Sequence, residues 1–367
     1  MFLNKALESI PDDTTSSSGI STFIELVAEL NLVNICYNKR MTQLIRVGVL
    51  RGGPSSEYEI SLQTGGNVLK SLREKLSDKY HSRDILIDKK GNWHIDGMPT
   101  TPKELASRLD VAFNALHGAY GEDGTVQHLF EVHGLPFTGS KSLPSAVGMN
   151  KVLARKVFEN HGIKTAIGKE ILSDDIRADV ISVARELFRS FPIPAVIKPV
   201  SAGSSVGVSI VATQDELIEG LRKAAQHGPS VLIEEYIKGT EVTVGVIEGF
   251  RNQEIYTLPA VEIRPYSPFF DYQAKYAGMS EEIVPARLPH KTKEELAKMA
   301  KKAHQSLGLR HYSRSDFIIH PKRGIYILET NTLPGLTDES LVPKALRSVG
   351  SDTYELIDHL IQSALND

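Results

Sequence analysis

The chain has 367 residues, of which 41% are hydrophobic and 24% charged, and this composition is that of a globular protein long enough for two or three domains. The formal net charge of −3 gives no general attraction to nucleic acid or anionic membranes, so any phosphate binding must come from a local site. The single cysteine, Cys36, excludes an internal disulfide, and no apolar run reaches the ~18 residues needed to cross a bilayer. We therefore expect a cytoplasmic protein without nucleic-acid or membrane partners.

The first forty residues differ in composition from the rest of the chain. Residues 11–19 are rich in Ser, Thr and Asp, a composition typical of disorder, and residues 20–36 are moderately apolar with weak helical spacing. Acidic residues stand where a secretory signal requires basic and apolar ones, so no signal peptide is expected. Met41 precedes the first clear strand. We therefore expect the functional protein to begin near Met41, with residues 1–40 as a disordered or loosely attached extension.

Residues 41–142 carry the pattern of an N-terminal α/β domain. Buried strands are predicted at 44–50 and 111–116, shorter strands at 84–87 and 92–95, and helices at 60–75 and 125–133. Glycine-rich turns follow both buried strands. Because strands alternate with helices, the pattern predicts a parallel sheet that binds ligands at the carboxyl ends of its strands.

From residue 143 onward the pattern becomes mixed. Helices are predicted at 145–161, 177–188, 213–227, 292–307 and 353–365, and strands at 195–197, 231–236 and 241–247. The segment 265–287 has no regular pattern. We interpret residues 143–239 as a central domain and residues 240–367 as a C-terminal domain that contains this irregular segment.

A loop rich in glycine and serine follows the strand at 195–197. The strand ends in Lys198, and the loop continues through Gly203-Ser204-Ser205-Val206-Gly207 into another apolar strand. Backbone NH groups of such a loop can surround phosphates, while Lys198 offers a positive charge. Neither a P-loop nor a dinucleotide fingerprint is present, because no Gly-Lys-Ser/Thr follows and the next element is a strand. In isolation, the loop is equally consistent with a flexible turn.

A second candidate lies at the end of the strand at 231–236. Glu234-Glu235-Tyr236-Ile237, with Glu241 just beyond, provides groups that can hydrogen-bond an adenine amine and a ribose. The alternative interpretation is an exposed acidic turn.

The most informative pattern is a hairpin near the C-terminal end. If residues 321–324 form its loop, Pro321 faces Gly324, and Asp316 then lies opposite Glu329. The same count places Arg314 opposite Asn331. The four polar groups of these pairs share one face of the sheet. The other face would carry the apolar side chains of Phe317, Ile319, Tyr326 and Leu328.

This polar face indicates a cation. Two opposed carboxylates repel each other, so a positive group should lie over Asp316 and Glu329. With Asn331 they supply only oxygen ligands, which suit Mg²⁺ or Mn²⁺ whose remaining ligands are phosphate oxygens. The alternative is a solvated sheet face with unrelated charges.

Taken together and in this order, these features resemble the ATP-grasp enzymes, and more closely the D-alanine–D-alanine ligases. The resemblance covers about residues 45–364. It rests on Gly52-Gly53-Pro54-Ser55-Ser56-Glu57, Ala115-Leu116-His117-Gly118, Gly121-Glu122-Asp123-Gly124, the loop at 203–207, Asp271-Tyr272-Gln273-Ala274-Lys275-Tyr276, and the run from Glu329 to Thr337. It implies ATP-dependent formation of D-alanyl-D-alanine for peptidoglycan synthesis, through a D-alanyl phosphate, by a cytoplasmic homodimer.

The resemblance also implies a role for each site residue. ATP would lie between the central and C-terminal domains, and two Mg²⁺ or Mn²⁺ ions would be held by Asp316, Glu329 and Asn331. The residues implied to contact ATP are Lys151, Lys198, Ser204, Ser205, Glu234, Glu235, Tyr236, Ile237, Glu241 and Lys275.

The same resemblance implies how the amino acids bind. Glu57 would bind the ammonium of the first D-alanine, with His117 nearby. The carboxylate of the second would be bound by Arg314, Ser340 and the NH group of Leu341, and the NH group of Gly335 would join Arg314 in stabilising the oxyanion. Ser204 and Tyr276 would join Glu57 in closing the loop 265–287 over the site.

Two residues depart from the family pattern, and two rival functions remain. Asn150 stands where the family commonly has Asp, and Arg51 replaces an apolar residue before the double glycine. We expect Arg51 to point outward. The rivals are another carboxylate–amine ligase with the same ATP machinery and a non-catalytic nucleotide-binding protein on the same fold.

Overall fold

The computed structural model describes residues 44–201, 203, 206–265 and 280–367. Within these ranges the strands form three sheets, and each sheet takes its strands from one stretch of the chain. Residues 46–367 belong to one compact unit. The predicted extension 1–40 lies outside the described residues. No helix in the described ranges is long and apolar enough to cross a membrane.

The first sheet contains β1 Ile45–Gly52, β2 Tyr80–Ile87, β3 Trp93–Ile95, β4 Met98–Thr100 and β5 Val111–Asn114 in the order β4-β3-β2-β1-β5. Its helices are α1 Tyr58–Glu74, α2 Pro102–Arg108 and α3 Thr125–His133. Strands β1 and β5 are parallel, as expected, whereas β2, β3 and β4 pair antiparallel because only short connections join them. All of β5 is buried. The turns after β1 and β5 therefore leave the sheet at the same edge.

The predicted helix at 145–161 is two helices, α4 Ser142–Met149 and α5 Lys151–Asn160. The break falls at Asn150, whose backbone is extended and whose side chain accepts hydrogen bonds from the NH groups of Val152 and Leu153. An asparagine side chain is a favourable N-cap because it satisfies NH groups that have no partner within the helix. Asn150, which stands where the family commonly has Asp, therefore caps α5, and the helix starts at Lys151.

The second sheet contains β6 Gly168–Leu172, β7 Ala195–Pro199, β8 Ser209–Val211 and β9 Ser230–Glu235 in the order β6-β9-β7-β8. Helices α6 Ser173–Ser190 and α7 Gln214–Ala224 pack on it through a core that includes Ile197, Leu217 and Val231. The predicted helix at 213–227 ends in a 3₁₀ turn, Ala225–His227. Positions 202, 204 and 205, between β7 and β8, are outside the described residues.

The third sheet contains β10 Thr240–Glu248, β11 Ile255–Thr257, β12 Val261–Pro265, β13 Ser280–Ile283, β14 Tyr312–His320 and β15 Gly324–Asn331, in the order β13-β12-β10-β14-β15 with β11 beside β10. Helices α8 His290–Ser306 and α9 Leu341–Arg347 pack on this sheet, which also has a 3₁₀ turn at Phe250–Asn252. The last helix, α10 Thr353–Asn366, instead contacts α1 and strand β5 of the first sheet. Strand β13 corrects the interpretation of 265–287 as wholly irregular. Its sequence, Ser-Glu-Glu-Ile, carries little strand propensity, and it forms by pairing with β12.

Candidate functional site

Two cavities meet in the described part of the chain. The first, of 470 Å³, lies between the second and third sheets, and its lining includes Lys198, Tyr236 and Asp316. The second, of 680 Å³, lies between the first and third sheets, and its lining includes Glu57 and Ser340. The residues that line both are Lys151, Arg314, Glu329 and Leu341. Molecules bound in the two cavities would therefore meet beside these side chains.

The hairpin of β14 and β15 has the predicted polar pairs. Arg314 lies opposite Asn331, and Asp316 lies opposite Glu329. The predicted loop is wrong by one position, because Gly324 pairs with His320 and not with Pro321. A register shift between Asp316 and Phe317 compensates for this difference.

The register shift changes which apolar side chains share a face. Phe317 and Ile327 pair with each other and join the core beneath α8. Tyr326 instead packs with Ile237 and Ala166, and Leu328 lines the first cavity. The predicted placement of Tyr326 and Leu328 on the face of Phe317 is therefore wrong. A one-residue bulge moves the following side chains to the opposite face.

Each opposed carboxylate has a cationic side chain beside it. Asp316 accepts two hydrogen bonds from Arg314, at 2.9 and 3.0 Å, and one from the hydroxyl of Thr243 at 2.6 Å. Glu329 lies 3.5 Å from the ammonium of Lys151. The two carboxylates share the polar face because of the hairpin register, and these cations offset part of their repulsion.

The donor set fits a divalent cation that also binds phosphate oxygens. Among the described residues, no group of three or more His, Cys, Asp or Glu side chains could hold a metal ion by protein ligands alone. Asp316, Glu329 and the amide of Asn331 supply oxygen atoms only, and Asn331 Oδ1 also accepts the NH group of Leu333 at 3.0 Å. So few ligands suit Mg²⁺ or Mn²⁺, which complete their coordination with water and phosphate.

Lys151 is held where both cavities meet. It is the first residue of α5, and its backbone NH donates to the carbonyl of Val200 at 3.0 Å. Burial lowers the pKa of the Lys151 ammonium, with Glu329 acting in the opposite direction and Lys198 adding to the lowering. Two buried ammonium groups in mutual repulsion provide a strong attraction for a polyphosphate.

The predicted adenine-binding segment lines the first cavity. Its members there are Glu234, Glu235, Tyr236, Ile237 and Glu241. The carboxylate of Glu235 is bound by both guanidinium nitrogens of Arg323, at 2.7 and 2.8 Å, and by the NH group of Ile167 at 3.0 Å. The hydrogen bonds from Arg323 are the largest cause that lowers the pKa of Glu235. This ion pair fixes the end of β9 against the tip of the β14–β15 hairpin.

The predicted binding residues for the first amino acid lie in the second cavity. Glu57 and His117 both line it and are buried. The His117 ring is 2.9 Å from the Thr64 hydroxyl and 3.6 Å from Glu122. A Cβ atom at Gly203 would lie 2.5 Å from a Glu57 oxygen, so a side chain there would displace this carboxylate from the loop backbone.

The predicted groups for the second carboxylate and the oxyanion lie at the start of α9. Ser340 precedes this helix, and its hydroxyl accepts the NH group of Thr337 at 3.1 Å. A Cβ atom at Gly335 would lie 2.8 Å from this hydroxyl. Gly335, Ser340, Leu341 and Arg314 all line the second cavity. Their amide, hydroxyl and guanidinium donors suit an anionic group.

Four predicted site residues, Ser204, Ser205, Lys275 and Tyr276, lie outside the described residues. Arg51 is directed at the first sheet: it forms a two-point ion pair with Asp84, at 2.7 and 2.6 Å, and its stem packs against Gly65. It lines neither cavity. Arg51 thus faces away from both cavities, but it is half-buried on the first sheet and does not extend outward as expected.

Two family models match the chain. One, described as the C-terminus of D-ala D-ala ligase, matches residues 157–362, and the other, described as its N-terminus, matches residues 96–140. A D-alanine–D-alanine ligase of Geotalea uraniireducens is 40% identical over 320 residues, which are 87% of this chain and 95% of the relative. One of Pelotomaculum thermopropionicum is 37% identical over 329 residues, 88% of this chain and 98% of the relative.

Solved structures show the same architecture. The VanG D-Ala:D-Ser ligase from Enterococcus faecalis superposes with a TM-score of 0.76 at 29% identity, over 88% of this chain and 100% of that structure. The D-alanine–D-alanine ligase from Coxiella burnetii gives a TM-score of 0.73 at 26% identity, over 88% of this chain and 94% of that structure.

Proposed function

This chain belongs to the D-alanine–D-alanine ligase family, and we propose that its two cavities join two molecules of D-alanine to D-alanyl-D-alanine for peptidoglycan synthesis, with conversion of ATP to ADP and phosphate by phosphoryl transfer through the D-alanine carboxylate. The family uses ATP and a divalent metal. The single observation that carries the proposal is that a nucleotide-sized cavity and an amino-acid cavity share Lys151, Arg314 and Glu329. Phosphoryl transfer between their occupants needs such a junction.

The first cavity would hold ATP. Tyr236, Ile237 and Glu241 would contact adenine and ribose, and Lys151 and Lys198 would bind the phosphates, with Lys275 and the loop at 203–207 completing the contacts. Two Mg²⁺ or Mn²⁺ ions would be held by Asp316, Glu329 and Asn331, and bound ions neutralise charge on the transferred phosphoryl group.

The second cavity would hold both amino acids. Glu57 would bind the ammonium of the first D-alanine, whose carboxylate oxygen attacks the γ-phosphorus as ADP leaves. The amine of the second D-alanine, after losing a proton, attacks the acyl phosphate carbon, and the tetrahedral intermediate expels phosphate. Arg314 and the NH group of Gly335 would stabilise the oxyanion, while Ser340 and Leu341 would bind the second carboxylate.

Closure over the site would protect the acyl phosphate from water. Ser204 and Tyr276 would connect Glu57 to the loop 265–287. The approach of Gly203 to Glu57 supports the first part of this chain, contact between the loop at 203–207 and Glu57. The proposed domains are residues 41–142, 143–239 and 240–367. We further propose that the protein is a cytoplasmic homodimer.

Incubation with ATP, Mg²⁺ and a panel of D-amino and D-hydroxy acids, followed by mass spectrometry, tests this function. We expect D-alanyl-D-alanine in large excess over D-alanyl-D-lactate at neutral pH. In the variant Tyr276→Phe we expect slower turnover, because the tyrosine hydroxyl would help to close the loop. Comparable D-alanyl-D-lactate would contradict the substrate assignment. A different dipeptide as the main product would favour the rival ligase, and the absence of any D-amino-acid-dependent ADP release would favour the non-catalytic rival.

A further inference from the structure

Arg155 contacts the nucleotide-binding groups without lining the first cavity. It lies in α5, four residues after Lys151 and therefore on the same face of the helix. Its guanidinium donates to Glu234 Oε1 at 2.6 Å and to the carbonyl of Ala166 at 2.6 Å. The other oxygen of Glu234 lies 2.5 Å from the Lys198 ammonium. Glu234 thus connects Arg155 to a lysine that lines the cavity.

We infer that Arg155 is a positioning residue for the nucleotide. Its guanidinium partly neutralises the Glu234 carboxylate, so that the Lys198 ammonium stays available to bind phosphate. Glu234 and Lys198 are buried, with side chains 7% and 9% exposed. A buried carboxylate paired with Lys198 alone would hold the ammonium and cancel its charge. With Arg155 present, the three groups carry a net positive charge.

The net positive charge that Arg155 provides matters because the other charged groups at this end of the cavity are paired with each other. Among the described residues at this end of the cavity, Glu329 pairs with Lys151 and Glu234 pairs with Lys198. Arg155 adds one further positive charge. Its third partner, Glu159, lies at 3.0 Å on the solvent side, where its carboxylate is 48% exposed and therefore screened.

The fold leaves a gap for the Arg155 guanidinium. Gly168 lies opposite Glu234 in the pairing of β6 with β9. A Cβ atom at Gly168 would lie 2.3 Å from Arg155 Nη1 and 2.8 Å from its Cζ. Only glycine therefore lets the guanidinium lie over β6 and reach Glu234. An alanine there would displace the flexible end of Arg155 without changing any charge in the sequence.

The inference rests on the proposed nucleotide site, and three variants test it. In Arg155→Met we expect the KM for ATP and the Kd for ADP to rise about tenfold, the scale of one partly buried charge interaction. The KM for D-alanine should change less than about twofold, because Arg155 does not reach the second cavity. Gly168→Ala should reproduce the nucleotide effect, and Arg155→Lys should recover most of the affinity.

The matched control is Glu159→Gln, which removes the solvent-side partner of Arg155 and leaves its contact with Glu234 intact. This variant should bind ADP as the unmodified protein does.

Calorimetry with ADP separates the proposed nucleotide site from the proposed role of Arg155. No ADP binding by the unmodified protein overturns the nucleotide site itself. If the unmodified protein binds ADP and the Arg155→Met and Gly168→Ala variants bind it equally well, only the role of Arg155 is overturned. The same conclusion follows if Arg155→Met raises the KM for ATP and the KM for D-alanine equally. It also follows if the variant has a lowered melting temperature and an unchanged KM for ATP.

Discussion

Glu329→Gln is expected to remain folded and to lose ligase turnover by about 10³-fold or more, since metal-ion and electrostatic stabilisation of a transferred phosphoryl group supply several kcal/mol. The substitution keeps the shape of the side chain and removes its charge. Glu329 lines both cavities and lies opposite Asp316. Loss of its charge would weaken metal binding and remove one ionic interaction of Lys151. ADP release and circular dichroism measure the two outcomes.

The matched control for Glu329→Gln is Glu186→Gln. Glu186 also pairs with a lysine, at 3.2 Å from Lys169, but it is exposed and lies outside both cavities. This control should retain full turnover, because exposed ion pairs contribute little. Near-normal activity in Glu329→Gln would contradict the metal assignment, whereas equal losses in both variants would indicate general sensitivity to charge.

Arg314→Gln is expected to lower kcat by about 10² to 10³, the usual effect of removing one donor to a developing oxyanion. Arg314 is 12% exposed, lines both cavities and binds Asp316 through two nitrogens. The variant would lose a donor to substrate and would leave the half-buried Asp316 carboxylate without its guanidinium partner, which costs more than the loss of the contact alone. Steady-state kinetics for ATP and D-alanine measure the effect.

Arg264→Gln provides the comparison for Arg314→Gln. Arg264 forms an ion pair with Glu262, two residues earlier on β12, at 2.7 Å, which is the same spacing along a strand of the same sheet. Its side chain is 47% exposed and lines neither cavity. Turnover should stay within about twofold of the unmodified protein, because neither Arg264 nor Glu262 lines a cavity. A rise in KM with unchanged kcat in Arg314→Gln would contradict a role in the transition state.

Side-chain alternation and turn composition were sufficient to predict the central pairs of the site. Asp316 and Glu329 lie opposite each other because a strand alternates faces and a short loop restricts the register. The bulge before Phe317 could not be predicted, because an unpaired residue leaves no mark in an apolar run. Because of this bulge, the predicted face of Tyr326 and Leu328 is wrong, whereas the predicted polar pairs are correct.

Contacts between distant segments explain the other misses. Arg155 has an ordinary position on a predicted helix, and its role depends on β6 and β9 lying beside that helix. Only the four-residue spacing after Lys151 was a signal, and such spacing is common on solvated helices. The helix break at Asn150 could have been predicted from the sequence, since asparagine is a frequent N-cap. It was missed because the apolar spacing continues across this position.

In the proposed reaction, a D-alanine carboxylate in one cavity attacks the γ-phosphorus of ATP in the other. The most direct measurement uses D-alanine labelled with ¹⁸O in its carboxylate, with mass spectrometry of the phosphate released. An acyl phosphate intermediate transfers one carboxylate oxygen to phosphate when the second amine displaces it. We expect one ¹⁸O atom in each phosphate formed with dipeptide. Unlabelled phosphate alongside dipeptide would contradict the proposed reaction.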